Sequence, residues 1–224
     1  MIIEKIYIGK EQNFNSKSKT FKSSYKKSEV KDKIFISFLG LKDDSQSDKK
    51  LHGGRDRAVC VYNQSSYEFL RNKYKISLDE CAFGENITLK NASDEDICLG
   101  DTFSCGEAIF EVCQPRLPCW KISFITGIKN LTSIVVKEAK TGFQLRVLKE
   151  GFISFEDKFS LLTRANKNIS IAHINRCYFD ARNNQENIEE ILKVPQLAKS
   201  YKTALEQRYK NKEKGIEFFQ KDIE

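Results

Sequence analysis

The chain has 224 residues, 40% of them hydrophobic and 31% charged, and carries a formal net charge of +7. This length suffices for one large domain, or a domain with a small appendage, that buries a core of its own. The sequence has no apolar run near the roughly 20 residues that a membrane helix needs, and Glu4 and Lys5 interrupt the region where a signal peptide would be apolar, so we expect a cytoplasmic protein with no role at a membrane.

The first 163 residues show a succession of short strands. Six segments are rich in β-branched and aromatic residues and are separated by turns that contain Gly or Asp: IIEKIYI, KIFISFL, RAVCVYN, NITLK, EAIFEVC and FQLRVLK. A helix is predicted at 65–74, and a weaker helical pattern covers 131–139. We therefore predict a mixed, mainly β domain over residues 1–163, in which a closed or nearly closed barrel carries a few helices.

The pattern changes after residue 163. Three helical segments follow, with Ser170 as the cap of the first and Pro195 in the first turn of the last. Leu197, Tyr201, Leu205 and Tyr209 recur at a spacing of four, which is typical of a face that packs on a core. Residues 164–224 are predicted to form a small three-helix domain with a basic tail.

The seven cysteines form an odd set without a C-x-x-C pair, and only two histidines could join them. This argues against a disulfide framework and against a zinc site of the finger type. Most of them alternate with apolar residues, as Cys60 does in AVCVY, and are expected to be small buried hydrophobic residues.

Cys119 is the exception. In QPRLPC, Pro115 ends the preceding strand, and the two prolines stiffen a loop that holds Gln114, Arg116 and Cys119 in one arrangement. Arg116 and Lys121 flank the thiol, and nearby cations favour the thiolate, which binds soft metals or acts as a nucleophile. The alternative is a structural cysteine in a proline-rich turn.

Other segments could line the same pocket. The candidate residues are His52, Gly53, Gly54 and Arg55 in LHGGRDRAV, Gly84 and Asn86 in FGENITL, and Arg146 in TGFQLRVL. Glycines permit close approach of the backbone to a ligand, arginines meet anionic oxygens, and an amide presents a donor and an acceptor to a heterocycle. The alternatives are an ordinary turn and a solvent-facing strand. The basic run at 17–27 is expected to be a solvated face.

Taken in order, GLKDDSQSD, HGGRDRAVCVY, FGENIT, GDTF, GEAIFEVCQPRLPCWKI and TGFQLRVLKEG strongly resemble the MOSC domain family, which is related to the C-terminal domain of molybdenum cofactor sulfurases. The resemblance covers about residues 39–162. It is greatest to the YiiM-like branch, which adds a small three-helix domain where this chain has residues 165–212. Two positions depart from the family pattern, since Asp43 and Glu156 stand where a glycine is usual.

The resemblance implies a β-barrel-like domain that binds a molybdenum–pterin cofactor, with Cys119 as metal ligand and catalytic residue. The implied reaction is the reduction of N-hydroxylated compounds, such as hydroxylaminopurines or amidoximes, to amines. The electrons would come from a separate flavin-containing reductase, because the sequence has neither a Rossmann fingerprint nor an iron–sulfur cysteine cluster. The helical domain is expected to serve in a homodimer contact or in docking of the reductase.

Two alternatives stay open. The first is a carrier of sulfur or of the molybdenum cofactor that uses Cys119 without turnover. The second is a basic β-barrel that binds nucleic acid, which would interleave aromatic and basic residues, as FKSSYKK does only faintly.

Overall fold

The computed structural model describes residues 1–15, 20–46 and 53–222. Over these ranges the strands are β1 (Ile2–Ile8), β2 (Gln12–Asn15), β3 (Thr20–Ser23), β4 (Ser28–Val30), β5 (Ile34–Ser37), β6 (Gly40–Leu41), β7 (Val59–Asn63), β8 (Ile87–Lys90), β9 (Thr102–Cys105), β10 (Ala108–Pro115), β11 (Phe143–Lys149), β12 (Gly151–Ile153) and β13 (Ser160–Thr163). The α-helices are α1 (Gln64–Tyr74), α2 (Lys121–Thr126), α3 (Leu131–Lys137), α4 (Ile171–Phe179), α5 (Gln185–Lys193) and α6 (Lys199–Asn211). None of the helices in these ranges combines the length and the apolar character needed to cross a lipid bilayer.

Eight strands form one curled sheet in the order β13, β9, β10, β11, β7, β8, β1, β4. Only β7 and β8 run parallel within it; the other neighbouring strands are antiparallel. An isolated bridge joins Ile2 to Lys158, and the Phe159 amide donates to the Met1 carbonyl at 3.0 Å. The sheet therefore curls into a half-barrel whose far side returns to the start of β1. This confirms the predicted mainly β fold.

Apolar side chains on alternate strand positions fill the inside of the half-barrel. Val59 and Val61 on β7, and Leu145 and Val147 on β11, belong to this buried cluster. A second cluster covers the opposite face, where Tyr62 packs with residues of α1, α2 and α3. The sheet is therefore buried on both faces near β7, which explains the continuously apolar character of its sequence.

The C-terminal helices pack around a third cluster that includes Ile174, Ile188, Tyr201 and Leu205. The predicted cap is confirmed, because the Ser170 hydroxyl accepts a hydrogen bond from the His173 amide at 3.1 Å.

The prediction for Pro195 is wrong, since the last helix begins at Lys199. Val194 is extended, with φ −72° and ψ 118°, as expected of a residue that precedes proline. The chain then makes a turn before it becomes helical, so Leu197 packs on the third cluster from outside the helix.

Asp43 and Glu156, where the resemblance leads us to expect glycine, both adopt a left-handed backbone conformation. The φ angle is 64° at Asp43 and 66° at Glu156. A residue with a Cβ atom is disfavoured there by roughly 1–2 kcal/mol. Both turns thus have the backbone geometry that suits glycine, and Asp43 and Glu156 adopt it at the cost of local strain.

We predict that Glu156→Gly raises the free energy of unfolding by about 0.5–1 kcal/mol, because relief of the left-handed strain exceeds the added entropy of the unfolded chain. Chemical denaturation measures the change. Lys158→Gly, also exposed but without a positive φ, serves as the control and should lower stability. Equal effects of the two substitutions would contradict the prediction.

A buried carboxyl predicts a pH dependence of stability. Asp94 is fully buried and accepts hydrogen bonds from Asn63 at 3.3 Å and Ser66 at 3.4 Å. Burial raises its pKa to about 7 from an ordinary value of 3.8. The folded state therefore holds the proton of Asp94 more tightly than the unfolded state does, so the contribution of Asp94 to stability is largest below about pH 4 and is lost as the pH rises from about 4 to 7.

Asp94→Asn removes this titration. The stability of the variant relative to the parent should increase between pH 4 and pH 8 by about 2–4 kcal/mol. Urea denaturation at a series of pH values tests this, and parallel curves for the two proteins would contradict it.

Candidate functional site

The loop that carries Cys119 is held at both ends. At its start, the Arg116 amide donates to the Gly142 carbonyl at 3.0 Å. At its end, the Cys119 carbonyl accepts from the Thr132 hydroxyl at 3.1 Å. The Cys119 side chain lies half-buried where the loop enters α2. Its backbone is therefore fixed while the thiol stays within reach of a ligand.

Three polar side chains form a row across the sheet beside this loop. Gln114 on β10 is paired in register with Gln144 on β11, which is paired in turn with Cys60 on β7. Directly opposed residues share a face of the sheet, and this face is opposite to the one that bears Val61 and Leu145. The row thus forms a polar floor on the outer face of the half-barrel.

The guanidinium of Arg116 lies above this floor among groups that can carry negative charge. Burial alone would lower the pKa of Arg116, but Cys60, Tyr25, Cys119 and Glu85 outweigh it and hold the pKa above its ordinary value. These five side chains come from four separate parts of the chain, and their electrostatic coupling shows that the fold gathers them. Arg116 is the cation at the centre of the site.

Several polar atoms of this cluster lack a protein partner. The Nη1 atom of Arg116, the Oε1 atoms of Gln114 and Gln144, and the Oε2 atom of Glu85 are buried and accept or donate no hydrogen bond within the described ranges. Buried polar groups in folded proteins are nearly always paired with protein, water or ligand. The site therefore presents one cationic donor and several acceptors to a further molecule.

Two titratable side chains next to Arg116 are held neutral. Burial raises the pKa of the Cys60 thiol, and it raises the pKa of the Tyr25 phenol well above its usual range. The Tyr25 hydroxyl donates to the Ala82 carbonyl at 2.6 Å. Tyr25 also lines a cavity of about 280 Å³ together with Lys26, Cys81 and Ile125, so it connects the Arg116 cluster to this cavity.

Asn86 has an internal role. Its Oδ1 atom accepts from the Cys60 amide at 3.1 Å, and its Nδ2 atom donates to the Asp44 carboxylate at 2.8 Å. Asp44 forms a buried ion pair of 2.7 Å with Lys27, whose side chain is 6% exposed. This network fixes the backbone of Cys60, and it shows that part of the 17–27 run is buried rather than a solvated face.

Gly84 allows Tyr25 to approach the same region. Its φ is 64°, and a Cβ atom there would lie 3.1 Å from the Tyr25 ring. A side chain at this position would therefore displace the tyrosine or strain the turn.

The other predicted residues have separate contacts. Arg146 makes ion pairs of 2.8 Å with Asp56 and with Glu111. Lys121 donates to the Lys22 carbonyl at 3.3 Å on the surface.

The Gly-Gly turn is only partly described. Arg55 stacks on the ring of Phe38 at 4.4 Å, Gly53 is half-buried, and Gly54 is exposed with a φ of 97°. His52 lies outside the described residues. The structure thus brings Gln114, Arg116 and Cys119 together, and cofactor binding by any of the predicted residues stays a prediction.

Sequence reasoning missed four members of the cluster: Tyr25, Cys60, Glu85 and Gln144. The alternation of β7 contained a signal, because Cys60 faces away from Val59 and Val61. Tyr25 sits in a lysine-rich run, and its burial depends on contacts with distant residues that no local pattern shows.

No set of three or more His, Cys, Asp or Glu side chains is arranged to hold a metal ion in residues 1–15, 20–46 and 53–222. A metal ion at Cys119 would therefore have fewer than three His, Cys, Asp or Glu ligands from these ranges.

Comparisons with known proteins identify relatives of this chain. The protein YflK of Bacillus subtilis (strain 168) is 34% identical over 197 residues, which cover 88% of this chain and 89% of that protein. A crystal structure of YiiM from Geobacillus stearothermophilus matches 93% of this chain and 98% of its own, with a TM-score of 0.77 and 29% identity. A protein named reductase from Gibberella moniliformis (strain M3125 / FGSC 7600) is 34% identical over 147 residues, 64% of this chain but only 26% of that protein.

Family models agree with these relatives. Residues 48–160 match the MOSC domain, and residues 169–209 match the YiiM-like 3-alpha helix domain. The first of these ranges contains Cys119, Arg116 and the polar floor of Cys60, Gln114 and Gln144. The chain belongs to the MOSC domain family and carries the additional helical domain of its YiiM-like members.

Proposed function

We propose that this protein binds a molybdenum–pterin cofactor, with Cys119 as the protein ligand of the metal, and reduces N-hydroxylated compounds to amines. The observation that carries the proposal is the buried Nη1 atom of the half-buried Arg116 side chain, which lies beside Cys119 and has no hydrogen-bond partner among the described residues. Membership of the MOSC family and the similarity to a protein named reductase support the cofactor and the class of reaction.

The residues present fit such a cofactor. A pterin ring carries both hydrogen-bond donors and acceptors, and its side chain carries phosphate. The unpaired Oε1 atoms of Gln114 and Gln144 are acceptors for the ring, and the Arg116 guanidinium is a donor for anionic oxygens. Because these groups are buried, leaving them without a ligand or water costs free energy that binding of the cofactor would recover.

Each side chain has a separate role in this proposal. Cys119 would bind the metal as a thiolate, the form of cysteine that ligates soft metals. The floor of Gln114 and Gln144 orients the bound molecule, and Cys60 stays a neutral thiol beneath it because burial raises its pKa. The bound cofactor supplies two electrons, which with two protons convert the N–OH group into an amine and water. A separate flavin-containing reductase would replace the electrons.

Glu85 is placed to hold a proton near the site. Burial raises the pKa of its carboxyl, and Tyr67 and Thr88 donate to its Oε1 atom at 2.7 and 3.1 Å. Its Oε2 atom is buried and has no partner in the described part of the chain. The raised pKa makes this carboxyl easier to protonate than an exposed one, which is the direction that a proton donor near the site needs.

One prediction from the proposed function concerns the molybdenum content. Protein purified from cells that make molybdenum cofactor should contain molybdenum near one equivalent, and Cys119→Ser should lose most of it, because an alcohol is a far poorer ligand than a thiolate for a soft metal. Elemental mass spectrometry measures the content. Cys98→Ser is a matched control, since the Cys98 thiol donates to the Lys167 carbonyl and serine can replace it.

Absence of molybdenum from folded parent protein, in cells whose other molybdenum enzymes are loaded, would contradict the proposal and favour the carrier of sulfur. Full retention of molybdenum by Cys119→Ser would show that another group binds the metal.

Another prediction from the proposed function compares the effects of Arg116 and Arg146 on cofactor retention. Arg116→Met should weaken cofactor retention by about 10- to 100-fold, the range expected for loss of a charge-assisted hydrogen bond in a buried site. Arg146→Met should change it less than threefold, because Arg146 is already paired with Asp56 and Glu111. Bound molybdenum after dialysis measures retention. A larger loss in Arg146→Met would assign the anionic group to that arginine instead.

A further inference from the structure

The C-terminal segment 217–222 runs from the helical domain back to the loop of Cys119. The Gln220 Nε2 atom donates to the Pro118 carbonyl at 3.0 Å. The Trp120 amide donates to the Phe219 carbonyl, also at 3.0 Å. The segment thus bonds the backbone on both sides of Cys119.

A third contact lies at the beginning of α3, where the Asn130 amide donates to the Asp222 carboxylate at 2.6 Å. Since α3 also holds the Cys119 carbonyl through Thr132, the segment contacts both the loop and the element that supports it.

Gln220 is the centre of these contacts. Its side chain is fully buried. The Oε1 atom accepts from the Glu217 amide at 2.8 Å, while the Nε2 atom reaches Pro118. Both ends of the amide are therefore used, and a residue of similar volume without donor and acceptor would lose both bonds.

Arg208 anchors the segment to the helical domain. Its side chain is 4% exposed and makes an ion pair with Glu213 at 3.1 Å. It also donates to the Gly215 carbonyl at 2.7 Å and to the Tyr178 carbonyl at 2.6 Å. The hydroxyl of Tyr178 in turn donates to Glu217. The position of Gln220 is thus set by buried polar groups of α4 and α6.

Apolar burial does not account for the path of the segment. Phe218 is 90% exposed and Phe219 is 40% exposed. A segment held only by the hydrophobic effect would bury these two rings first. Here the buried side chain is the amide of Gln220, and its donor points at the loop.

We propose that residues 217–222 form a clasp that holds the Cys119 loop in its ligand-binding position, and that Gln220 is a positioning residue for Cys119. The role of Cys119 as a ligand rests on the proposed function. The restraint on the loop does not rest on that function, because the clasp restricts the motion of the thiol and of Trp120 whether or not a metal is bound.

The experiment uses the full chain, produced in cells unable to make molybdenum cofactor so that the thiol is free. Iodoacetamide alkylation of the peptide that contains Cys119, followed by mass spectrometry, measures exposure of the thiol. Acrylamide quenching of Trp120, the single tryptophan of the chain, measures opening of the same loop without dependence on thiol ionisation.

Gln220→Met should raise the alkylation rate about 5- to 10-fold at every pH, which corresponds to loss of one or two net hydrogen bonds. Ile188→Val is the matched control, because it weakens the core of the helical domain at a fully buried residue outside the clasp. It should leave alkylation and quenching at the parent values.

Gln220→Glu separates positioning from packing. When protonated, its carboxyl can donate to the Pro118 carbonyl; when ionised, it repels that oxygen. The alkylation rate of Gln220→Glu is compared with that of the parent at the same pH. The two rates should therefore be similar near pH 5, whereas near pH 8 Gln220→Glu should show the same increase as Gln220→Met. The charged groups around it are Arg208, Glu213, Glu217 and Asp222.

Parent-like alkylation and quenching in Gln220→Met would overturn the clasp, as would the same effect in Ile188→Val. Molybdenum content of the parent from cofactor-producing cells tests the proposed function separately. An unloaded parent with a strong Gln220→Met effect would retain the clasp and reject the function, whereas a loaded parent with no such effect would do the reverse.

Discussion

The contact of the half-buried Arg116 guanidinium with two thiols, a phenol and a carboxyl is the interaction on which the rest of this site depends. Arg116 cannot lose its charge, so the surroundings must supply acceptors or counter-charge for every N–H group that leaves water. The chain supplies this environment from β7, from the region before β4, from the turn before β8 and from its own loop. Its Nη1 atom nevertheless has no hydrogen-bond partner in the part of the chain that the structure describes. The site is organised around a charge that the protein alone only partly satisfies.

The sheet and the helices contribute to this arrangement in different ways. The outer face of β10, β11 and β7 supplies a rigid floor, since its side chains are fixed by strand register. The loop with Cys119 has no strand to hold it and depends on α3 and on the C-terminal segment. A precise floor and a separately fastened thiol allow the depth of a bound molecule and the position of its metal ligand to be set independently.

Much of the architecture follows from local pattern. The bounds of β1 and β11 equal the segments chosen from their β-branched and aromatic content, and the helix predicted at 65–74 begins only one residue earlier. Several short strands, among them β2, β3, β4 and β13, were not predicted. They carry few apolar residues or expose them, because they lie in a hairpin or at sheet edges where packing demands less of the side chains.

The site itself was predicted in part. Proline spacing and flanking cations pointed to Gln114, Arg116 and Cys119, which the fold does bring together. Simple alternation from Ala108, Phe110 and Val112 would have placed Gln114 on the core face. A register shift between Val112 and Gln114 moves it to the outer face opposite Gln144. Such a bulge depends on pairing with β11 and therefore cannot be read from β10 alone.

The clasp has a consequence for the order of events during synthesis. Gln220 follows Pro118, its hydrogen-bond partner, by 102 residues. Because domains fold as units and the N-terminal one folds first during translation, the half-barrel can close before the residue that fastens its thiol loop exists. The newly made barrel thus passes through an interval with an open loop, and emergence of residue 220 ends that interval. The time at which the loop becomes fixed therefore depends on the length of the helical domain.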